Sequence, residues 1–327
     1  CIEGFLLQFR SDQRRGVYSE QSVPGLEAVC LCRLHLCVSL VGNNQWKARL
    51  RPGAGDFVVG ERRRNLATRS RAPRTERIES FQIIFFWKRA VTVGMGRNIL
   101  SIGGSSGVGL ELVKHLTSQG DSVHVASRND NEISAIPNVS FQEYDVTRKD
   151  AELHLPEKLD GMVYCPGTIN LKPFGRITDE DFQNELEVNY LGAVRAIRLA
   201  HAALKKSGKS SIVLFSTVAV QTGLPYHASI SGAKGAVEGL CRSLAAEFSP
   251  DIRVNCLALS LTDTPLASGL LNSDDKRTAS ADRHPLKRIG DPKEVAQAAA
   301  FLLGNESGFI TGQVIQIDGG ISTLKLL

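Results

Sequence analysis

From Arg97 onward, apolar residues fall into short unbroken runs separated by longer stretches with helical spacing. Asn98–Ile102, Ser122–Ala126, Val139–Tyr144, Gly161–Cys165, Ser211–Phe215, Ile252–Cys256 and Gln313–Ile317 read as strands. Between them Val108–Gln119, Thr178–Lys206 (with a break), Ser229–Phe248 and Pro292–Leu303 repeat apolar positions with the period of an amphipathic helix. Strands that are apolar at nearly every position suit a parallel sheet covered on both faces, with the helices as its crossovers. The pattern predicts one doubly wound α/β domain over residues 95–327, with a parallel sheet of about seven strands. Leu261–Arg288 is polar, irregular and long for a connection, so it is expected to form a lid over the substrate.

Residues 1–94 have a different texture. They show neither helical nor strand periodicity, and Gly, Pro and Arg are scattered through them, as in Arg51-Pro-Gly and Arg62-Arg-Arg. They hold 16 basic residues against 8 acids, whereas 95–327 holds 23 against 26, so the excess positive charge is confined to this segment. The α/β part therefore has no electrostatic reason to bind nucleic acid. Met95 stands just before the first strong strand, and 1–94 is expected to be an unstructured extension, with a targeting peptide as the rival reading. Cys30, Cys32, His35 and Cys37 cluster there, but in no common zinc spacing, and no metal site is expected. Cys165, Cys241 and Cys256 are expected to be free thiols. No apolar stretch is long enough to span a bilayer. A cytoplasmic location is expected, or an organellar one if 1–94 includes a targeting peptide.

The run Gly103-Gly-Ser105-Ser106-Gly107-Val108-Gly109 closes a strand and opens a helix. Glycines there let the backbone turn tightly and approach a pyrophosphate, whose charge lies at the helix N-terminus. This loop resembles the cofactor loop of the short-chain dehydrogenases/reductases. Asp145-Val146 after the third strand is similar to the family's adenine-contacting pair, and Asn189 to its structural and catalytic asparagine. Ile310-Thr-Gly-Gln313 and Ile317-Asp-Gly-Gly320 resemble its C-terminal signature. The resemblance covers essentially all of 95–327. It implies a Rossmann-type fold, a nicotinamide cofactor, a small-molecule substrate and, by analogy, a homodimer or homotetramer. Arg128 at the tip of the second strand, where no acid stands, favours NADP(H), because a guanidinium can pair with a 2′-phosphate; NAD(H) remains the alternative.

The family's chemistry rests on a Tyr four residues before a Lys, a spacing that puts both on one helix face. Here the lysine is Lys234, and the tyrosine position holds Ile230, which has no proton to give. Thr217 occupies the place of the family's serine. The Asn-Asn-Ala-Gly after the fourth strand is Tyr164-Cys-Pro-Gly167, and the Pro-Gly after the sixth is Leu259-Ser260, while Thr264 remains where a threonine contacts the nicotinamide or phosphate side. Tyr226 and His227 lie about two helical turns before Lys234 and are alternative acids if the helix extends that far. Lys234 is expected to orient the ribose, Thr217 to hold the substrate oxygen and Asn189 to support a water relay. The expected function is NADP(H)-dependent hydride transfer to or from a carbonyl or activated alkene. The alternative is a non-catalytic NAD(P)(H)-binding or scaffold protein on the same fold.

Overall fold

The computed structural model describes residues 96–325 apart from position 132, and four strands within 28–61. The chain divides into two units, 1–82 and 83–327. In the first, β1 (Ala28–Leu31), β2 (Leu36–Val41), β3 (Gln45–Arg49) and β4 (Phe57–Glu61) pair antiparallel in sequence order. Sequence periodicity assigned no element here. The rest of the predicted extension, and the side chains of the Cys30–Cys37 cluster, lie outside the described residues.

The second unit carries a seven-stranded sheet in the order β11-β10-β9-β8-β5-β6-β7, all neighbours parallel. Its strands are β5 (Asn98–Ile102), β6 (Ser122–Ser127), β7 (Val139–Glu143), β8 (Gly161–Tyr164), β9 (Ser210–Thr217), β10 (Ile252–Leu259) and β11 (Val314–Ile317). The order reverses between β5 and β8, so the crevice at that switch point opens above the C-terminal strand ends.

Alternating side chains divide the core. Ile99, Val125, Val163, Val213 and Phe215 face one side, where α1 (Gly107–Ser118) supplies Leu112, Val113 and Leu116 and α6 (Pro292–Leu303) supplies Val295, Ala299 and Leu302. Leu100, Ile102, Met162, Ile212 and Leu214 face the other, against α3 (Gly192–Ser207) and α4 (Ala228–Phe248). The buried stripe of α3 is mostly alanine, Ala193, Ala196, Ala200 and Ala203, which lets its backbone lie close to the sheet. A Leu at Ala196, which is 0% exposed, would overpack this layer at a cost of about 1–3 kcal/mol.

The expected break in the long helix is a π-helical turn, Glu187–Leu191, between α2 (Asp179–Leu186) and α3. A capping box between Thr178 and Asp181 starts α2. The segment expected to form a lid, Leu261–Arg288, is more regular than its sequence suggests. Pro265–Leu270 is a 3₁₀ helix, and α5 (Asp274–Asp282) follows, capped by the Ser273 hydroxyl on Lys276 N. With residues such as Asp274, Asp275, Lys276 and Arg277, α5 has no apolar stripe from which to read it.

Candidate active site

The glycine loop joins β5 to α1 at the switch point. Gly103 and Gly107 take left-handed φ values of 76° and 53°, which L side chains rarely adopt. A Cβ on Gly109 would overlap the Gly103 carbonyl oxygen, so only glycine fits. Ser106 caps α1 without a side-chain hydrogen bond, and the first-turn amides of an α-helix have no partners within it. These features make a cradle of the kind that suits an anion. Neighbouring loops close on it. A Cβ at Gly103 would stand 3.0 Å from Pro166 Cδ, and one at Gly107 would stand 3.5 Å from Thr264 Cβ. Asn131 Nδ2 donates to the Ser105 carbonyl at 3.3 Å, tying the loop after β6 to the cradle. Ser105 is buried and Val108 half-buried.

At the far edge of the crevice, exposed Arg128 lines a cavity of about 640 Å³ together with Tyr144, Asp145, Arg148 and Glu143. Asp145 accepts from Thr147 N at 2.9 Å and Thr147 Oγ1 at 2.8 Å, and these bonds hold its carboxyl below the usual range despite partial burial. Val146 is buried, and its carbonyl accepts from Arg195. Arg195 in turn pairs with Glu187 at 2.6 Å.

Lys234 is the best-defined of the candidate side chains. It is 8% exposed, so the alternative of a lysine reaching out to solvent does not apply. Its Nζ donates to the Phe215 carbonyl of β9 at 3.0 Å. An ammonium group carries three donors, so two remain for other partners. Burial pushes its pKa down to about 8, against the opposing fields of the Cys256, Glu185 and Cys165 groups. Ile230, one turn earlier, is 5% exposed.

Gly167 follows β8 between Lys234 and Asn189. A Cβ there would stand 3.5 Å from Lys234 Nζ and 3.4 Å from Asn189 Oδ1. Asn189 sits in the π-helical turn, a distortion common at functional sites. Its Nδ2 donates to Thr168 Oγ1 at 2.7 Å and to both the Glu185 carbonyl and Glu185 Oε2 at 2.9 Å. Thr168 Oγ1 also donates to Glu185 Oε2. Glu185 and Asn189 are 2% and 1% exposed. Thr168 and Glu185 did not emerge from sequence reading, although Glu185 lies four residues before Asn189 and so on its helix face.

Thr217 ends β9, in register with Leu259 of β10, and its Oγ1 accepts from Ala219 N at 3.3 Å. The proposed alternative acids stand differently from expectation. α4 begins at Ala228, with His227 as its N-cap, so the premise that helical spacing aligns them with Lys234 does not hold. Tyr226 has φ 69° and is 58% exposed. His227 Nδ1 lies 2.7 Å from the Pro225 carbonyl, to which only a protonated ring nitrogen can donate, leaving Nε2 free for another bond.

A second unpredicted pair joins Ser260, just after β10, to His284, beyond α5. Ser260 Oγ lies 2.7 Å from His284 Nε2, and His284 Nδ1 lies 2.8 Å from the Ser280 carbonyl. The carbonyl can only accept, so Nδ1 carries a proton and donates to it, while Nε2 and the Ser260 hydroxyl share a second hydrogen bond. Among the described residues, no group of His, Cys, Asp and Glu could hold a metal, Cys165, Cys241 and Cys256 are free, and no helix is long and apolar enough to cross a membrane.

The parallel sheet, the glycine cradle at its switch point and the enclosed lysine define a dinucleotide-binding oxidoreductase architecture. The family model described as "Enoyl-(Acyl carrier protein) reductase" matches residues 103–322. A tropinone reductase homolog of Arabidopsis thaliana is 35% identical over 247 residues, covering 69% of this chain and 93% of the relative. The ligand-free aldohexose dehydrogenase of Thermoplasma acidophilum is 26% identical, with a TM-score of 0.64 over 71% of this chain and 96% of that one. The NADP-bound structure of ElxO is also 26% identical, with a TM-score of 0.64 over 70% of this chain and all of that one, 100%. The chain belongs to the short-chain dehydrogenase/reductase family of oxidoreductases.

Proposed function

We propose that the chain is an NADP(H)-dependent reductase of carbonyl compounds or activated alkenes that works around Lys234 without a tyrosine acid. The observation that carries this reading is Lys234 itself, enclosed beside Gly167 with one donor on Phe215 O and two still available. Burying an ammonium is costly unless partners offset the lost hydration, and ribose hydroxyls are suited to that place.

The residues fit the cofactor. Gly103, Ser105, Ser106, Gly107, Val108 and Gly109 would hold the pyrophosphate, with Thr264 closing over it. Asp145 and Val146 would flank the adenine. Arg128, with Arg148 beside it along the same cavity, would face a 2′-phosphate. Gly167 and Lys234 would take the nicotinamide ribose. The bound cofactor supplies hydride. Thr217 would hold the substrate oxygen, and Asn189 would keep the polar cluster behind Lys234 in order. Losing a positioned acid typically lowers a rate by about 10²–10⁴, a loss that an alkene passing through a hydrogen-bonded enolate tolerates better than a ketone does. The enoyl-reductase description and the NADP-bound neighbour support this reading, while the tropinone reductase homologs point to ketones.

A non-catalytic cofactor-binding protein is the second reading, favoured by the buried Ile230 at the acid's position. Turnover of NADPH by the full chain separates the two, with tropinone and crotonyl-coenzyme A as probes. Oxidation that depends on either probe and is lost in Lys234→Met supports the enzyme. Tight NADPH binding with no oxidation above the Lys234→Met background supports the binding protein.

A further inference from the structure

Glu185 is a carboxyl group closed off from solvent in the middle of a polar cluster. Its Oε2 accepts from Thr168 and Asn189, while Oε1 is buried with no hydrogen-bond partner. Asn189 Oδ1 is buried and unpartnered in the same way. Asn189 Oδ1 and Lys234 Nζ lie 3.4 and 3.5 Å from where a Cβ on Gly167 would stand, and Nζ holds two uncommitted donors. Leaving a buried acceptor unmatched costs about 1–3 kcal/mol, so this arrangement calls for a proton-bearing bridge between the groups.

We infer that Glu185 is the proton store of this site, returning a proton to Lys234 through a water held at Asn189 Oδ1 whenever Lys234 gives one up toward the substrate oxygen. The inference rests on the reductase reading. It moves protons alone: the substrate oxygen gains an O–H bond as Lys234 loses an N–H bond. The Glu185 O–H bond then breaks as the Lys234 N–H bond is restored, and solvent reprotonates the carboxylate between turnovers. Glu185 acts through Lys234 and is a positioning residue, not a catalytic one. It supplies from behind what Ile230 cannot supply from the front.

The surrounding charges agree with this role. Burial raises the Glu185 carboxyl above its usual range, opposed by its bond from Thr168 and the field of Lys234. Asp181, one turn earlier, adds a weaker upward push, and Lys172 pairs with it at 2.7 Å. Cys165 and Cys256 face Lys234, and burial holds the Cys165 thiol up at about 12 and raises that of Cys256 further, so both stay neutral at physiological pH.

The test is pH-difference infrared spectroscopy of the full chain, which needs neither substrate nor cofactor. Wild type should show a carboxylic-acid C=O band titrating above the ordinary carboxylate range, and Glu185→Gln should lack it. Lys234→Met, close in size and apolar, should move that titration to higher pH by removing the facing cation. A wild-type spectrum without this band, or a band that Lys234→Met leaves in place, overturns the inference. Glu185→Gln should bind NADPH as tightly as wild type. On whichever of tropinone or crotonyl-coenzyme A is turned over, its kcat should fall on the order of tenfold, less than the 10²–10⁴ of a directly acting acid, with KM unchanged. A loss confined to KM contradicts a role in proton supply. If wild type binds no NADPH at all, the reductase reading fails first; NADPH binding without the band sinks the proton store alone.

Discussion

Ile230 and Lys234 stand one turn apart on α4, both buried, and of the two only the lysine carries ionisable chemistry. The spacing is that of an acid–lysine pair, with the acid replaced by a hydrocarbon. Ile230→Tyr therefore restores a phenol on the lysine's face. If an acid is all that is missing, tropinone reduction should rise by about 10²–10⁴, even though the larger ring overpacks the site at a cost of about 1–3 kcal/mol. If the rate stays flat while crotonyl-coenzyme A is turned over, the site has been rebuilt for alkenes.

Lys234 also predicts a pH dependence. Its pKa is lowered to about 8 in the folded chain, so the ammonium dominates below that pH and the amine above it. In the proposed reaction this group gives up a proton, so the rate of reduction should fall as pH rises through about 8. Stability runs the other way. Between about 8 and the ordinary lysine value of 10.5 this side chain binds more protons in the unfolded chain than in the folded one, so its own contribution to folding should strengthen with pH. The gain is on the order of 3 kcal/mol, from about 1.4 kcal/mol for each unit of the shift. Urea melts at pH 7.5 and 9.5 check the sign against Lys234→Met: the raised thiols of Cys165, Cys241 and Cys256 weaken folding over this window in both proteins, so the wild type should gain relative to the variant.

Gly109 is constrained by contact, not only by conformation, because a side chain there meets the Gly103 carbonyl. Gly109→Ala must displace the cradle. NADPH binding should weaken at least about tenfold, roughly 1.4 kcal/mol, with the fold retained by circular dichroism. Unchanged affinity would remove the loop from the binding site.

The most enclosed ion pair among the described residues is Arg97–Asp121. Asp121 accepts from Arg97 N at 3.0 Å, Nε at 3.1 Å and Nη2 at 2.6 Å, joining the start of β5 to the start of β6. The Asp121 side chain is 7% exposed, and that of Arg97 is 30% exposed. Asp121→Ala should therefore cost about 2–3 kcal/mol in a denaturant melt, below the 3–5 of a fully buried pair because Arg97 keeps access to water.

The α/β frame was legible because its signals are local. Unbroken apolar strands, the glycine turn after Ile102 and alanine-rich helix faces repeat with fixed periods. What escaped depends on the fold or on chemistry without a period. α5 is polar throughout, so its only sequence mark is the Ser273 cap. Tyr226 was projected onto α4, but the Leu224-Pro-Tyr segment turns through a left-handed residue and the helix starts later. Ser260 and His284 meet across the lid, 24 residues apart, and Thr168 meets Glu185 over 17. Glu185 was within reach: an acid one turn before Asn189 had to share its buried face.

The proposed nicotinamide site selects its cofactor by the 2′-phosphate. A fluorescence titration of the full chain with NADPH and with NADH tests it most directly, together with Arg128→Ala. Wild type should bind NADPH at micromolar concentration, clearly tighter than NADH, with the difference largely lost in Arg128→Ala. Equal affinity for both cofactors in wild type would contradict Arg128 as the selecting residue, and binding of neither would contradict the oxidoreductase reading itself.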